Sequence, residues 1–438
     1  MTFTEQLQAA GVVGAGGAGF PTHIKANSKA DTFLVNGAEC EPLIHKDFEL
    51  MVHFPGPIVR GAYRMMESVG ASRGFFCIKS KNKAAIDAIR KELPDDRMTI
   101  FELGDFYPSG DEYEIVYAAT GRLIPPGGIP LQVGCVVNNT ESCFQAGMAA
   151  EGKSVTQKFL CVTGAVKEPF SAWVPIGTDF GSLIRMAGGP TVSDWGVFVG
   201  GVMMGSLTFD LTEVVTKTTA GLIVLPRSHR LIERKSLPDK VKHKIGQSAC
   251  DQCSYCTDYC PRYLLGYQVL PHKVMRSLGF TGSEDNRWNA YADLCCACGL
   301  CTLYACPEDL FPKEACDQSK AANRQSGFKF QQPTAPEVHP MKEGRRVPLK
   351  RLIKRLGLEE FDHHTPLKTW NQPAGSVKIL LKQHAGIPAE AVVKSGQKVR
   401  AGDLLASPPA GQLGAGIHAS ISGTVGEINA KWLIINPA

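Results

Sequence analysis

The chain has 438 residues, 44% of them hydrophobic and 20% charged, with a formal net charge of +5. That length predicts about three domains and a sizeable core, and so small a charge excess gives no reason to expect nucleic acid. No apolar run reaches the roughly 18 residues of a membrane span, so no transmembrane segment is expected. The opening Met1-Thr2-Phe3-Thr4-Glu5-Gln6 has neither the basic nor the long apolar stretch of a secretory leader. Fifteen cysteines without such a leader point to a reducing compartment and to metal ligation in place of disulfides.

In chain order, short runs at 32–35, 74–78 and 98–101 read as buried strands, with an amphipathic helix over 83–93. Strand, helix, strand predicts an α/β domain with a mostly parallel sheet over residues 1–155. A hairpin at 159–166 and 169–176, a helix at 179–186 and a strand at 197–201 predict a β-grasp-like domain over 156–230. A helical, cysteine-rich domain is expected over 231–320, with one helix at 271–278. Polar residues make 321–370 read as a linker that carries a basic amphipathic helix at 348–358. Lys350, Arg351, Lys354 and Arg355 stand beside Leu349, Leu352, Ile353 and Leu356. So short a helix is expected to pack on the protein sooner than to lie on an anionic membrane.

Over 371–438, short strands at 396–399, 402–406 and 417–425 with regular Gly turns predict a barrel–sandwich hybrid. The hairpin tip that would carry a modified Lys, Gly411-Gln412-Leu413-Gly414-Ala415-Gly416, has none. The module therefore reads as a docking or structural unit and not as a swinging arm.

Eight cysteines within residues 250–306 carry the strongest chemical signal. Cys250, Cys253, Cys256 and Cys260-Pro261 follow the spacing C-x2-C-x2-C-x3-C-P. Cys295, Cys298, Cys301 and Cys306-Pro307 repeat it with one extra residue before the last Cys. Zinc sites usually pair two short knuckles across a longer gap, whereas three cysteines two residues apart suit three corners of an iron–sulfur cubane. In two-cluster ferredoxins the fourth Cys serves the other cluster. Cys250, Cys253, Cys256 and Cys306 are therefore expected to hold one [4Fe–4S] cluster, and Cys260, Cys295, Cys298 and Cys301 the second. Cys40, Cys77, Cys135, Cys143, Cys161, Cys296 and Cys316 are expected mostly as small buried apolar residues.

Gly14, Gly16, Gly17 and Gly19 crowd a segment that continues Phe20-Pro21-Thr22, with Lys25 just beyond. Such a loop lets backbone N–H groups approach a phosphate, and Lys25 could neutralise it. Alone it is equally a tight turn. Asn36, Glu39 and Glu41 end the next strand, and Tyr107, Gly110, Asp111 and Glu112 follow another, where α/β sheets place ligands. Their carboxylates and amide suit ribose hydroxyls or a flavin edge, and Glu39 and Glu41 are assigned to a nicotinamide nucleotide. Clusters take one electron each while NADH delivers two as hydride, so loop and clusters together imply a flavin.

These residues carry a resemblance. Gly17-Ala18-Gly19-Phe20-Pro21-Thr22 with Lys25, then Asn36-Gly37-Ala38-Glu39-Cys40-Glu41-Pro42, resembles the flavin- and NADH-binding subunit of respiratory complex I. The C subunit of the Rnf ferredoxin:NAD oxidoreductase is more similar still. Residues 107–112, Thr120-Gly121-Arg122, Pro126-Gly127-Gly128, the β-grasp (SLBB) segment and the paired cysteine motifs extend the likeness over nearly the whole chain. The Rnf subunit has its barrel–sandwich module before the flavin domain. Here that module comes last, an order similar to the cobalamin reductase family of the propanediol-utilization microcompartment.

That resemblance implies FMN, two [4Fe–4S] clusters and NADH as cofactors, with electrons delivered to cob(III)alamin or cob(II)alamin. It implies a corrinoid adenosyltransferase as partner and a bacterial cytoplasmic location inside a microcompartment, beside its shell proteins. The C-terminal module is expected to dock the adenosyltransferase, so cutting the chain near residue 370 is expected to spare NADH-to-dye reduction. The competing expectation is an electron-relay subunit of a membrane-bound Rnf-type complex.

Overall fold

In the computed structural model, which describes residues 1–279, 286–371 and 375–437, β-branched and aromatic runs form the predicted strands. β1 (Thr32–Gly37), β2 (Arg73–Lys79), β3 (Met98–Leu103), the short β4 (Phe106–Tyr107) and β5 (Cys135–Asn139) alternate with helices. These are α1 (Phe3–Ala9), α2 (Thr22–Ala26), α3 (Lys46–His53), α4 (Pro55–Ser68), α5 (Lys83–Glu92), α6 (Glu112–Thr120) and α7 (Thr140–Ala150). The main sheet runs β3-β2-β1-β5, parallel throughout; β1, β2 and β5 are mostly buried and read as near-continuous apolar runs, while the edge strand β3 exposes Thr99 and Glu102. Helices α4 and α7 cross so closely that a methyl at Gly61 would collide with the Cys143 carbonyl. That close crossing fixes the start of α7 at the C-terminal edge of the sheet.

The β-grasp unit has the strand order β7-β6-β10-β8-β9, from β6 (Gln157–Gly164), β7 (Phe170–Pro175), β8 (Trp195–Val199), β9 (Ser206–Thr208) and β10 (Gly221–Pro226). Only β6 and β10 pair in parallel. Helix α8 (Phe180–Met186) starts where the Asp179 carboxylate accepts from Ser182 N. The cysteine-rich region is helical as expected: α9 (Arg230–Ser236), α10 (Asp239–Ala249), α11 (Tyr255–Asp258), α12 (Pro261–Leu264), α13 (Pro271–Ser277) and α14 (Pro312–Gln325).

The segment expected as a linker is tied to the rest of the chain at several points. Gln332 donates to Gly266 O and accepts from Gln268 N, at 3.0 and 2.9 Å. Lys342 pairs with Glu114 of α6 at 2.6 Å in a buried contact. β11 (Val347–Pro348) pairs antiparallel with β4, and α15 (Leu349–Leu356) buries Leu349, Leu352, Ile353 and Leu356. Part of the polar composition that suggested a linker goes into hydrogen bonds to backbone, as at Gln332.

β12 (Val377–Leu380), β13 (Glu390–Ala391), β14 (Lys398–Val399), β15 (Leu404–Ser407), β16 (Ile417–His418), β17 (Gly423–Ile428) and β18 (Trp432–Pro437) complete the barrel–sandwich. Its sheets run β12-β18-β17-β14 and β13-β15-β16. This module shares one core with the flavin-type domain: Leu7, Val12 and Phe33 belong to the same cluster as Ile379, Leu405 and Ile417. Lys217, buried in the β-grasp unit, donates to Gly11 O and to Gly416 O at 2.6 and 2.7 Å. Ala385 N donates to Gly19 O at 2.9 Å, at the base of the glycine loop. Among the described residues, no helix is long and apolar enough to cross a membrane.

The module is therefore part of the fold that supports the loop, and the expectation for its removal reverses. A chain ending near residue 370 exposes the shared core and should fail to retain flavin; recovery of a soluble, fully flavinylated truncation would contradict this.

Candidate functional site

The glycine loop is held from below. Gly14 N donates to Phe20 O at 2.8 Å and Gly19 N to Gly14 O at 3.1 Å, closing the turn. Ala15 N donates to Ser142 Oγ at 2.9 Å, and Lys158 Nζ donates to Ala15 O at 3.1 Å. Gly16, Gly17 and Ala18 are left exposed at the tip. Gly17 has φ +112°, a conformation that L side chains rarely adopt. Phe20 is half-buried at the end of the loop.

Beneath the loop lies a buried charge network. Glu141 accepts from Lys46 at 3.1 Å, from Lys158 at 2.5 Å and from Phe159 N at 3.1 Å. Lys46 also meets Asp47 at 2.6 Å. Burial works against the charge on Lys46, but Asp47 and Glu141 outweigh it and raise its pKa. Burial lowers the Lys158 pKa to about 8 against the pull of Glu141. A carboxylate shared by two buried ammonium groups fixes all three side chains, since each would be costly to leave unpaired.

Several of the expected site residues are tied to one another. Lys25 donates to Val137 O of β5 at 2.7 Å and lies 3.6 Å from Glu112. Asn36 Nδ2 donates to Gly110 O at 2.9 Å, and Gly110 N donates to Cys40 Sγ at 3.4 Å. A Cβ at Gly110 would press on Cys40 Sγ. Asp111 caps α6 through Tyr113 N and Glu114 N and pairs with Arg262 at 2.9 Å. Tyr107 is 2% exposed and its hydroxyl donates to Cys298 O at 2.7 Å.

Glu39 and Glu41 are placed differently from the expectation. Glu39 accepts from Asp47 N and Phe48 N at 2.5 and 3.0 Å, in the first turn of α3, where exposed N–H groups attract a carboxylate. Glu41 accepts from Met203 N at 2.5 Å, inside the Gly-rich turn after β8. Each carboxylate is thus taken by nearby backbone rather than left open to a ribose. Glu112, whose side chain is 47% exposed, is more accessible.

Two polar groups that the sequence reading passed over lie in the surrounding backbone. Asn138 Nδ2, near the end of β5, and Ser109 Oγ, in the loop after β4, are buried without a hydrogen-bond partner among the described residues. Buried polar groups normally find partners, so these two, with the exposed glycine tip, fit a polar cofactor. The Asn138-Asn139 pair ending an apolar strand was the available signal.

The cysteines fall into two cages. Cys250, Cys253, Cys256 and Cys306 line one cavity with His272 and Met275. In the second, Cys260 lies within electrostatic reach of Cys295, Cys298 within reach of Cys260 and Cys301, and Cys301 within reach of Cys295. Among the described residues, no three His, Cys, Asp or Glu side chains converge closely enough to bind one metal ion. The four thiols around the first cavity suit a cubane, which is held at its corners. The extra residue between Cys301 and Cys306 is absorbed by one π-helical turn over Cys301–Ala305, a local widening common at functional sites. Cys296 and Cys316 adjoin the second cage, Cys316 lying close to Cys295 and Cys296 close to Cys298.

Known families match in the same order. The Nuo51 FMN-binding domain matches residues 7–147 and the SLBB domain 159–206. The 4Fe-4S dicluster domain matches 249–311 and the RnfC barrel sandwich hybrid domain 358–435. Cobalamin reductase PduS of Citrobacter freundii is 39% identical over 99% of this chain and 96% of that protein. Its counterpart in Salmonella typhimurium strain LT2 is 40% identical over 98% and 95%. The chain belongs to the cobalamin reductase PduS family.

The C subunit of the Na(+)-translocating ferredoxin:NAD(+) oxidoreductase complex of Acetobacterium woodii is also similar, 33% identical over 64% of this chain and 60% of that one. The chain is an oxidoreductase, with FMN and two [4Fe–4S] clusters as the cofactors of its domains.

Burial raises the pKa of Glu41 to about 7, above the roughly 4.3 of an unfolded glutamate. The folded state thus holds the extra proton, and the stability this lends is full below about pH 4 and lost as pH rises through about 7. Glu41→Gln keeps an acceptor for Met203 N but cannot ionise. Its unfolding midpoint should gain on the parent by a few degrees between about pH 4 and pH 7; a pH-independent difference would contradict the assignment.

Proposed function

We propose that the chain is an NADH-dependent corrinoid reductase that passes electrons from FMN through both clusters to cob(III)alamin or cob(II)alamin. The observation that carries this reading is the join between the crevice and the second cage. The loop holding Tyr107 and Asp111 touches the segments holding Cys298 and Arg262 directly. FMN supplies the conversion of one hydride into two single electrons. Around it, the exposed peptides of Gly16 and Gly17 would take the phosphate, with Lys25 as the nearby cation. Asn36, Gly110 and the Asn138 and Ser109 groups would border the remainder, and Glu112 would face the nicotinamide nucleotide.

The corrin acceptor follows from the end-to-end likeness to cobalamin reductases. Rnf-type subunits align over only about two thirds of the chain, which makes the relay-subunit reading the weaker one. Cob(I)alamin is a strong reductant and is lost quickly in free solution. A corrinoid adenosyltransferase that takes it where it forms completes the reading, which places the chain in 1,2-propanediol degradation inside a bacterial microcompartment.

The test is NADH-driven reduction of cob(III)alamin, followed by visible spectroscopy on anaerobically prepared protein. The Gly17→Val variant forces a β-branched residue onto φ +112° and should lose the yellow flavin and fall to the background rate while keeping its iron. Full flavin retention by that variant would move the phosphate site away from the loop. A flavin-replete parent that does not oxidise NADH would remove the nicotinamide donor.

A further inference from the structure

The two thiol cages are not equivalent in their surroundings. Cys298 packs in a cluster that includes Tyr107, with Cys40 and Cys296 against it. Cys260 packs in another, against Tyr113, Tyr117 and Cys295. Tyr107, Tyr113, Tyr117 and Cys40 all come from the flavin-type domain. Arg262, directly after Cys260-Pro261, pairs with Asp111 at 2.9 Å and lies 3.4 Å over the Tyr113 ring. The second cage is thus built into the wall of the crevice domain.

Among the described residues the first cage has no crevice-domain residue in its cavity lining or its core cluster. Cys306 belongs to a cluster drawn from residues between 274 and 316, against which Cys250 and also Cys295 of the second cage pack. The cavity is lined by residues between 250 and 312. Cys253 is exposed, as are Asp251 and Tyr255 on either side of it, Tyr255 at 50%. The cages adjoin each other through Cys256 of the first and Cys301 of the second, which lie within electrostatic reach.

Electron transfer falls steeply with distance, and a buried cluster cannot reach an outside acceptor as readily as an exposed one. We infer that electrons leave the flavin first to the cage of Cys260, Cys295, Cys298 and Cys301, and leave the protein from the cage of Cys250, Cys253, Cys256 and Cys306 at its exposed Cys253 edge. The inference deepens the proposed reductase reading and rests on it for the acceptor.

The electrons balance in single steps. NADH gives a hydride, becoming NAD+; the proton it contributes passes to solvent, and its two electrons cross the two cages one after the other. The first reduces cob(III)alamin to cob(II)alamin and the second forms cob(I)alamin, with the displaced axial ligand released to water. Each passage returns both cages to their oxidised state. The corrin ring must therefore approach the loop of Asp251 to Tyr255, not the crevice.

The order is tested by starting at the flavin and reading the clusters. Bound FMN is photoreduced anaerobically in the full chain, and samples are freeze-quenched for EPR. Cys298→Ala and Cys253→Ala, each lacking one cluster's signal, identify the two spectra. The signal absent from Cys298→Ala should appear first in the parent, and the other cluster should stay oxidised in that variant although dithionite reduces it. If the signal absent from Cys253→Ala appears first, the order is wrong.

Should either alanine variant fail to fold, Tyr107→Phe removes only the hydroxyl that holds Cys298 O and should slow the first signal several-fold with both clusters present. An unchanged rate overturns the inference. The exit is read separately: Cys253→Ala should reduce its second cage normally but lose cob(III)alamin reduction, and retained corrin reduction would overturn the exit. If the parent reduces its clusters in this order but never reduces a corrin, the acceptor reading fails and the order stands.

Discussion

The pairing of Asp111 with Arg262 is the constraint from which the functional geometry follows. Asp111 begins α6 beside the crevice, and Arg262 begins the turn after Cys260-Pro261. Their 2.9 Å contact is nearly excluded from water, with side chains 13% and 11% exposed. Breaking one partner of such a pair leaves a buried charge unpaired, a cost of about 3–5 kcal/mol. The Tyr107 hydroxyl adds a second tie, to the backbone of Cys298. Two polar anchors at the edge of a shared apolar core set both the distance and the orientation between a flavin site and a cluster loop. An enzyme that moves electrons needs that rigidity more than it needs a mobile lid.

A second rigid frame supports the nucleotide loop. Its peptides at Ala15 are held from below by Ser142 and Lys158, and Gly19 is held from the side by Ala385. The buried Glu141, shared between Lys46 and Lys158, ties the start of α7 to α3 and β6. Lys217 joins the N-terminal segment, the β-grasp unit and the barrel–sandwich through two carbonyls. Burial lowers its pKa to about 7, so much of its hold near neutrality is hydrogen bonding by an amine. The exposed glycine tip is therefore presented by a stiff surround, which suits a site that must take a cofactor without reorganising.

Much of this was legible in the residues. The runs at 32–35 and 74–78 became β1 and β2 because a parallel sheet buried on both faces writes itself as continuous apolar stretches, and 98–101 became the half-exposed edge strand β3. The cysteine spacing carried the two-cluster reading, and the 4Fe-4S dicluster domain matches the same stretch. What was hidden is long-range. Nothing local says that Glu39 will be captured by the start of α3, or Glu41 by a turn from another domain. The barrel–sandwich looked like a detachable module because its own strands account for its own pattern. Its second role, closing the core over Leu7 and Val12, depends on a face that alternation alone does not assign. The docked segment after α14 failed for a related reason: Gln332 looks solvent-loving until its amide meets the backbone of Gly266 and Gln268. The π-turn at Cys301–Ala305 reconciles an irregular spacing with a regular cage, which sequence spacing by itself could only mark as odd.

The central claim is that one chain joins a flavin site to two four-iron cages. Mössbauer spectroscopy with iron, sulfide and flavin quantification on protein prepared anaerobically tests it most directly. The account predicts about eight irons per FMN, all in cubanes, since each cage takes one four-iron cluster. Zinc without iron, or four irons at full flavin content with every cysteine intact, would contradict it.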